Sequence, residues 1–208
     1  MSWDPTWETI YQTRGYNHWP SEEVIGFILR HYGKVPDRRA VKVLELGSGQ
    51  GANLWFLAKE GFDAYGIEGS EKGVNLSDEM LRREGLQATV IAGKFLDLAS
   101  YYAPASFDAI TDMGSLQHNR IEDMAVILSH CRTLLKSGGR IFSRILQDSI
   151  SPKQLEGWGY VRPISLDEAQ RLFSVFQNVR IEESLRSVDN RQHWAKRWVI
   201  EAMKSERA

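Results

Sequence analysis

Val41-Lys42-Val43-Leu44-Glu45-Leu46-Gly47-Ser48-Gly49-Gln50-Gly51 decides how the rest of this chain is read. Val41, Val43, Leu44 and Leu46 make a short apolar run of the kind a buried parallel strand needs. Three alternate glycines follow at once. Glycine adopts backbone conformations closed to other residues and leaves room for a ligand to approach the main chain. The helix expected next, Ala52 to Glu60, would aim its free N–H groups and the positive end of its dipole at the same spot. Such a strand-turn-helix is either a tight connection or a cradle.

The next acidic strand end narrows the choice. Gly61 stops the helix, Phe62 to Ser70 reads as a second strand, and Glu68 near its end lies 19 residues past Gly49. A βαβ unit needs about that spacing, roughly 20 residues, to set a carboxylate beside the ribose of a nucleotide held over the first turn. Gly47 to Ala52 also satisfies the G-x-G-x-x-A pattern of dinucleotide-binding folds. Glu45 argues against a pyrophosphate there, because its charge would repel one and would instead suit an ammonium.

Composition bounds the remaining possibilities. The chain has 208 residues, enough for one substantial core, and a single α/β domain over residues 1–208 is expected. A formal net charge of −1 gives no electrostatic footprint for nucleic acid. No apolar stretch approaches the roughly 20 residues that cross a bilayer, so no membrane association is expected. The N-terminal stretch lacks a basic leader with an apolar core, and Cys131 is the sole cysteine, so a cytoplasmic, reducing location is expected. Cys131 falls on the apolar face of a helix over Ile121 to Lys136 and reads as an inert core thiol. The five histidines, at 18, 31, 118, 130 and 193, form no metal-ligand cluster, and no metal is expected.

The flanks are less regular. Trp3, Trp7 and Tyr11 recur every fourth residue in an aromatic-rich arm over residues 1–20, which either packs on the domain as an amphipathic helix or closes over a ligand as a lid. Ser21 caps a helix over 22–32, and Ser70 caps another reaching Glu84. Strands are expected at 88–93, from Ser106 towards Asp112, at 140–145, at 179–184 and at 193–203, with a helix over 166–176. The segment 147–165, with two glycines and two prolines, reads as an irregular substrate-side loop.

Glu45-Leu46-Gly47-Ser48-Gly49-Gln50-Gly51 resembles the acidic-x-G-x-G-x-G signature of class I S-adenosylmethionine (AdoMet) dependent methyltransferases. Phe107-Asp108-Ala109-Ile110 is similar to that family's fourth-strand start, and the glycines 138 and 139 to its helix-glycine-glycine-strand element. The match runs in order over residues 41–145. It implies a doubly wound, Rossmann-like seven-stranded sheet of order 3-2-1-4-5-7-6, with the last strand antiparallel and helices on both faces. It also implies AdoMet as cofactor and S-adenosylhomocysteine (AdoHcy) as product. By the same resemblance the cofactor would be bound by Glu45, Gly47, Ser48, Gly49 and Gly51 at the turn, and by Glu68 and Gly69 at the ribose. Phe95, Leu96 and Asp97 would meet the adenine, where Lys94 replaces the family's usual acidic residue. Asp112 would stand at the loop facing cofactor and acceptor, and Tyr11 and Trp19 would belong to a lid.

The expected activity is methyl transfer to oxygen or nitrogen of a small polar acceptor, a metabolite or sugar derivative. A nicotinamide-dependent oxidoreductase and a catalytically silent AdoMet-binding protein are the rivals. His118 is the expected general base, since it follows the fourth strand closely and imidazole titrates near neutral pH. A helix-flanking histidine bonded to nearby backbone is the alternative.

Overall fold

The computed structural model describes residues 4–13, 19–188 and 193–206. Seven strands form one sheet of order β3-β2-β1-β4-β5-β7-β6. They are β1 (Lys42–Leu46), β2 (Asp63–Glu68), β3 (Thr89–Ala92), β4 (Phe107–Asp112), β5 (Leu135–Leu146), β6 (Gln177–Val188) and β7 (His193–Met203). The first five pair in parallel, and β7 runs antiparallel to both β5 and β6. The order expected from the sequence is the order observed. The helices are α1 (Thr6–Thr13), α2 (Glu22–Tyr32), α3 (Ala52–Lys59), α4 (Glu71–Arg83), α5 (Leu98–Tyr101), α6 (Ile121–Leu134) and α7 (Leu166–Phe173). None of these is long and apolar enough to cross a membrane.

Alternation along the strands splits the interior in two. Leu44, Ile110 and Ile141 point to the face covered by α6 and α7, where they meet Met124, Leu128 and Phe173. Val43, Ala109 and Phe142 point to the opposite face and pack with Phe27, Ile28 and Leu57 of α2 and α3. Each fully buried side chain of this size contributes about 1.5–3 kcal/mol by leaving water. Cys131 lies within the first cluster, and burial pushes its thiol far above the ordinary range.

Capping fixes where the helices begin. Ser21 and Ser70 accept hydrogen bonds from the N–H groups of Glu23 and Gly73, and Ser165 with Glu168 forms a capping box at α7.

Several element ends differ from expectation. Helix α6 stops at Leu134, and Leu135 already pairs with Phe107. Gly138 then takes a left-handed φ of 72° within an irregularity, and pairing resumes between Ala109 and Arg140. The two glycines therefore kink a strand under way rather than precede it. Helix α7 ends at Phe173, not Phe176. Strand β6 extends to Val188 beyond the expected Ser184, through Arg186 and Ser187, whose polar character on an edge strand gives little apolar signal. The aromatic arm is helical from Thr6 to Thr13, while Trp3 and Tyr16 lie outside the described residues.

Candidate active site

The register sets the carboxyl ends of β1, β2 and β4 side by side, with Leu46 opposite both Ile67 and Asp112. Above them opens a cavity of about 1090 Å³, where the strand order reverses between β1 and β4.

The turn after β1 forms its floor. Gly47, Gly49 and Gly51 have φ of 66°, 54° and 85°, in the left-handed region that other residues pay to enter. Their surroundings differ. A Cβ on Gly47 would lie 2.0 Å from Ser115 Oγ and one on Gly51 2.2 Å from Ser77 Oγ, so both positions are closed by packing. A Cβ on Gly49 would meet the Tyr11 hydroxyl at 2.9 Å, the end of a side chain that can move.

Glu68 is buried and its carboxylate is already oriented. Oε2 accepts the Gly49 N–H at 2.8 Å and Oε1 the Ser70 N–H at 2.9 Å. Burial raises its pKa, and these backbone donors oppose the shift. Each oxygen keeps a second lone pair for another donor. Glu45 lies deeper. Asn53 Nδ2 donates to its Oε1 at 2.5 Å, while its Oε2 is buried with no protein partner. Burial pushes its pKa up to about 8, assisted by the negative charges of Glu68 and Asp112. Ser48 Oγ is likewise buried without a partner, and all three residues line the cavity. Buried polar atoms left unmatched by protein fit a polar ligand at this edge.

His118 projects from a single 3-10 turn, Leu116–His118, in the loop after β4. Its Nδ1 stands 2.8 Å from the Tyr160 carbonyl oxygen, which can only accept, so Nδ1 carries the proton. In the neutral ring Nε2 is then the free base. Trp7 packs edge-on against the imidazole with centroids 4.9 Å apart. Burial lowers the His118 pKa, against the opposing effects of the Tyr160 carbonyl and Asp4.

The arm and the 147–165 segment meet over the site. Asp4 accepts the Tyr160 N–H at 2.6 Å, and the rings of Trp7 and Trp158 lie 6.0 Å apart. Glu8 reaches the start of α4, accepting the Ser70 hydroxyl at 2.5 Å and the Lys72 N–H at 3.2 Å. A carboxylate there also meets the positive end of the helix dipole. Tyr11 is thereby held, buried, over Gly49 and Gly73. Trp19 stands at the rim, 74% exposed, with its ring edge-on to Trp55.

Of the residues expected to bind cofactor, Tyr11, Trp19, Glu45, Gly47, Ser48, Gly49, Glu68, Gly69 and Phe95 line this one cavity, together with His118. Four do not. Gly51 serves as the N-cap of α3 and is closed against Ser77. Leu96 packs on the core, and Asp97 is exposed on the 3-10 turn Phe95–Asp97. Asp112 is fully buried below the floor. It accepts the N–H groups of Ser115 and Leu116 at 2.7 and 3.1 Å and the Ser143 hydroxyl at 2.5 Å, which shapes the loop carrying His118. Burial raises its pKa to about 6 against those hydrogen bonds.

Residues 43–139 match the model of a methyltransferase domain family. That match and the methyltransferase relatives support a class I AdoMet-dependent methyltransferase. Among curated relatives the chain is 34% identical over 109 residues to a ubiquinone biosynthesis O-methyltransferase of Methylococcus capsulatus, covering 52% of this chain and 45% of that protein. The chain thus spans about half the length of the curated relatives it matches. Among solved structures, one concerned with conversion of a disulfide bond into a thioacetal group during echinomycin biosynthesis aligns with a TM-score of 0.75 at 14% identity, covering 98% and 92% of the two chains. A 1,6-didemethyltoxoflavin N1-methyltransferase of Burkholderia thailandensis, solved with bound 1,6-didemethyltoxoflavin and AdoHcy, aligns with a TM-score of 0.66 at 18% identity, covering 89% and 78%.

Within this methyltransferase fold, several residues at the site had escaped the sequence reading. Asn53 joins the arrangement twice, donating to Glu45 and accepting the Ser21 N–H at 2.8 Å. A polar residue in the first turn of a helix does not announce such a partner. Glu8 could have been found, since it stands three residues before Tyr11 and shares its helical face. Arg144 pairs with Glu23 at 2.8 Å across β5 and α2, and nothing local to either residue marks the contact.

Proposed function

We propose that this chain transfers the methyl group of AdoMet to an oxygen or nitrogen of a small polar acceptor. The observation that carries the reading is the orphaned acceptor Oε2 of Glu45 beside the pre-oriented carboxylate of Glu68, both at the glycine turn. AdoMet supplies an electrophilic methyl on a sulfonium, whose departure leaves a neutral thioether.

The residues divide the work. Glu45 receives the ammonium of the methionine moiety, giving up its proton as the cation takes its place. Glu68, held by the Gly49 and Ser70 N–H groups, accepts from the ribose hydroxyls through its remaining lone pairs. Phe95 provides an apolar wall for the adenine from the loop after β3. Tyr11 covers the ribose side, and the contact between the arm and the 147–165 segment keeps water from the reacting atoms. Nε2 of His118 takes the acceptor's proton, while Nδ1 is anchored to the Tyr160 carbonyl. Alignment supplies much of the remaining acceleration.

The test is a pair of titrations and a product assay. AdoHcy should bind one to one, NADH should not bind, and AdoHcy should accumulate when acceptor and AdoMet are both present. NADH binding would favour the oxidoreductase, and cofactor binding without turnover across a broad acceptor screen would favour a silent binding protein.

A further inference from the structure

The loop after β4 carries a second polar side chain beside His118, and strand ends fix what it can do. Strand β4 stops at Asp112, opposite Ser143, while β5 runs on to Leu146. Gln147 N–H donates to the Lys196 carbonyl of β7, so alternation along the strand turns the peptide groups of Leu146 to the other edge, the one β4 has left. Ile164 N–H fills one gap, donating to the Leu146 carbonyl at 3.0 Å. Gln117 fills the other, where its Oε1 accepts the Leu146 N–H at 2.9 Å.

A backbone N–H can only donate, so the Gln117 amide is fixed with its oxygen on Leu146 and its Nε2 turned elsewhere. Nε2 has no hydrogen-bond partner among the described residues, and Gln117 lines the cavity together with His118. Gly114 leaves room for the amide, since with its φ of 91° a Cβ there would stand 3.3 Å from Nε2. The turn that carries both residues is itself held. The Gln117 carbonyl accepts the Arg162 N–H at 2.7 Å, and Asn119 Nδ2 donates to the carbonyls of Ser115 and Leu116 at 3.2 and 3.1 Å. Gln117 and His118 therefore each spend one polar atom on a backbone group, Leu146 N–H or the Tyr160 carbonyl, and keep the other. What remains is a neutral donor in Gln117 and a base in His118. Arg144, on the same strand as Leu146, already pairs with Glu23 at 2.8 Å, so the charge there is matched.

We propose that Gln117 is a specificity-determining residue whose Nε2 donates to an uncharged carbonyl oxygen of the acceptor molecule, while His118 meets the hydroxyl or amine to be methylated. Consecutive Cα atoms are about 3.8 Å apart, and a 3-10 turn fans successive side chains by about 120°, so the two groups are held near each other but along different directions. The acceptor class is a compound that bears both groups a few bonds apart on a rigid frame. A fixed donor discriminates against an analogue without the carbonyl, because binding that analogue takes water from Nε2 and returns no partner. This rests on the methyltransferase reading, which puts the acceptor at the His118 loop.

The test titrates 3- and 4-hydroxyacetophenone, and 3- and 4-ethylphenol as their counterparts without the carbonyl, into the full chain with and without AdoHcy, with affinity and the Gln117 side-chain amide signals read by NMR. In wild type at least one ketone should bind about fivefold or more tightly than its ethyl counterpart and shift the Gln117 amide signals. Gln117→Glu keeps an oxygen for the Leu146 N–H and replaces the Nε2 donor by a second oxygen. It should lose the ketone preference while AdoHcy affinity and melting temperature stay nearly constant, whereas a role confined to holding Leu146 would leave the preference unmoved. The wild-type amide signals decide the matter if the variant fails to fold. Equal binding of ketone and ethyl compounds, no binding of either, unshifted Gln117 signals, or a preference retained in Gln117→Glu would each overturn the proposal. AdoHcy failing to bind while a ketone still shifts the Gln117 signals would support the Gln117 contact and count against the methyltransferase reading.

Discussion

The cofactor half of the cavity and its acceptor half are built from different kinds of contact. The first is local: a strand, a glycine turn and two carboxylates held by backbone N–H groups or a side chain within about one βαβ unit. The second is assembled from distant pieces, with Asp4 meeting Tyr160 and Glu23 meeting Arg144. The cofactor half is therefore fixed by contacts between residues close in sequence. The acceptor half depends on the arm and the 147–165 segment staying together.

The largest expected effect sits at the joint between the halves. His118→Asn should lower turnover roughly 100-fold or more while AdoHcy affinity stays nearly constant. Burial lowers the His118 pKa in the free protein, so the acid limb that His118 contributes to the kcat/KM profile should have its midpoint below 6.5, with activity rising as the imidazole loses its proton. A loss of only a few fold would mean that alignment alone suffices, and the joint would carry no chemistry.

Next comes a test of the local half. Glu68→Ala should weaken AdoHcy binding by about 1–3 kcal/mol and also lower the melting temperature, because the Gly49 and Ser70 N–H groups lose their acceptor. Unchanged affinity in a folded variant would remove Glu68 from the cofactor site.

The clasp of the distant half should give a smaller effect. Glu8→Gln weakens the carboxylate contact at the start of α4 and should cost about 0.3–1 kcal/mol, read as faster hydrogen exchange over α1 and Ser70 to Gly73. AdoHcy should slow exchange in wild type over the arm and the 147–165 segment alike. Equal protection with and without ligand would make the arm a packed structural helix and remove the contrast between the halves.

How much could be read in advance follows the same division. The sheet order came from the resemblance to the methyltransferase family, whereas the placing of Glu45, Gly49 and Glu68 at one edge was legible because a buried parallel strand, a glycine turn and the length of a βαβ unit leave marks close together in sequence. Leu96 and Asp97 did not join the cavity, since the 3-10 turn after β3 points one into the core and the other to solvent. Asp112 ends β4 at the right edge of the sheet, yet its acceptors are spent on Ser115, Leu116 and Ser143. The extent of β6 was illegible because it depends on strand register, which a charged edge strand does not encode in an apolar pattern.

Glu45 links the fold to the ligand through its proton. Its folded pKa of about 8 lies above its ordinary 4.5, so this group stabilises the free protein fully below about pH 4.5 and loses that contribution as pH rises through about 8. Binding an ammonium reverses the preference, since the carboxylate form is then the one favoured. The direct measurement is calorimetric titration of AdoHcy from about pH 6 to about pH 8, in wild type and in Glu45→Gln. Wild type should bind one to one, with affinity rising with pH by up to about tenfold per unit as less proton must be expelled, and Glu45→Gln should bind more weakly with a flatter profile. Affinity independent of pH in wild type and equal in the variant would contradict the placing of AdoMet's ammonium at Glu45.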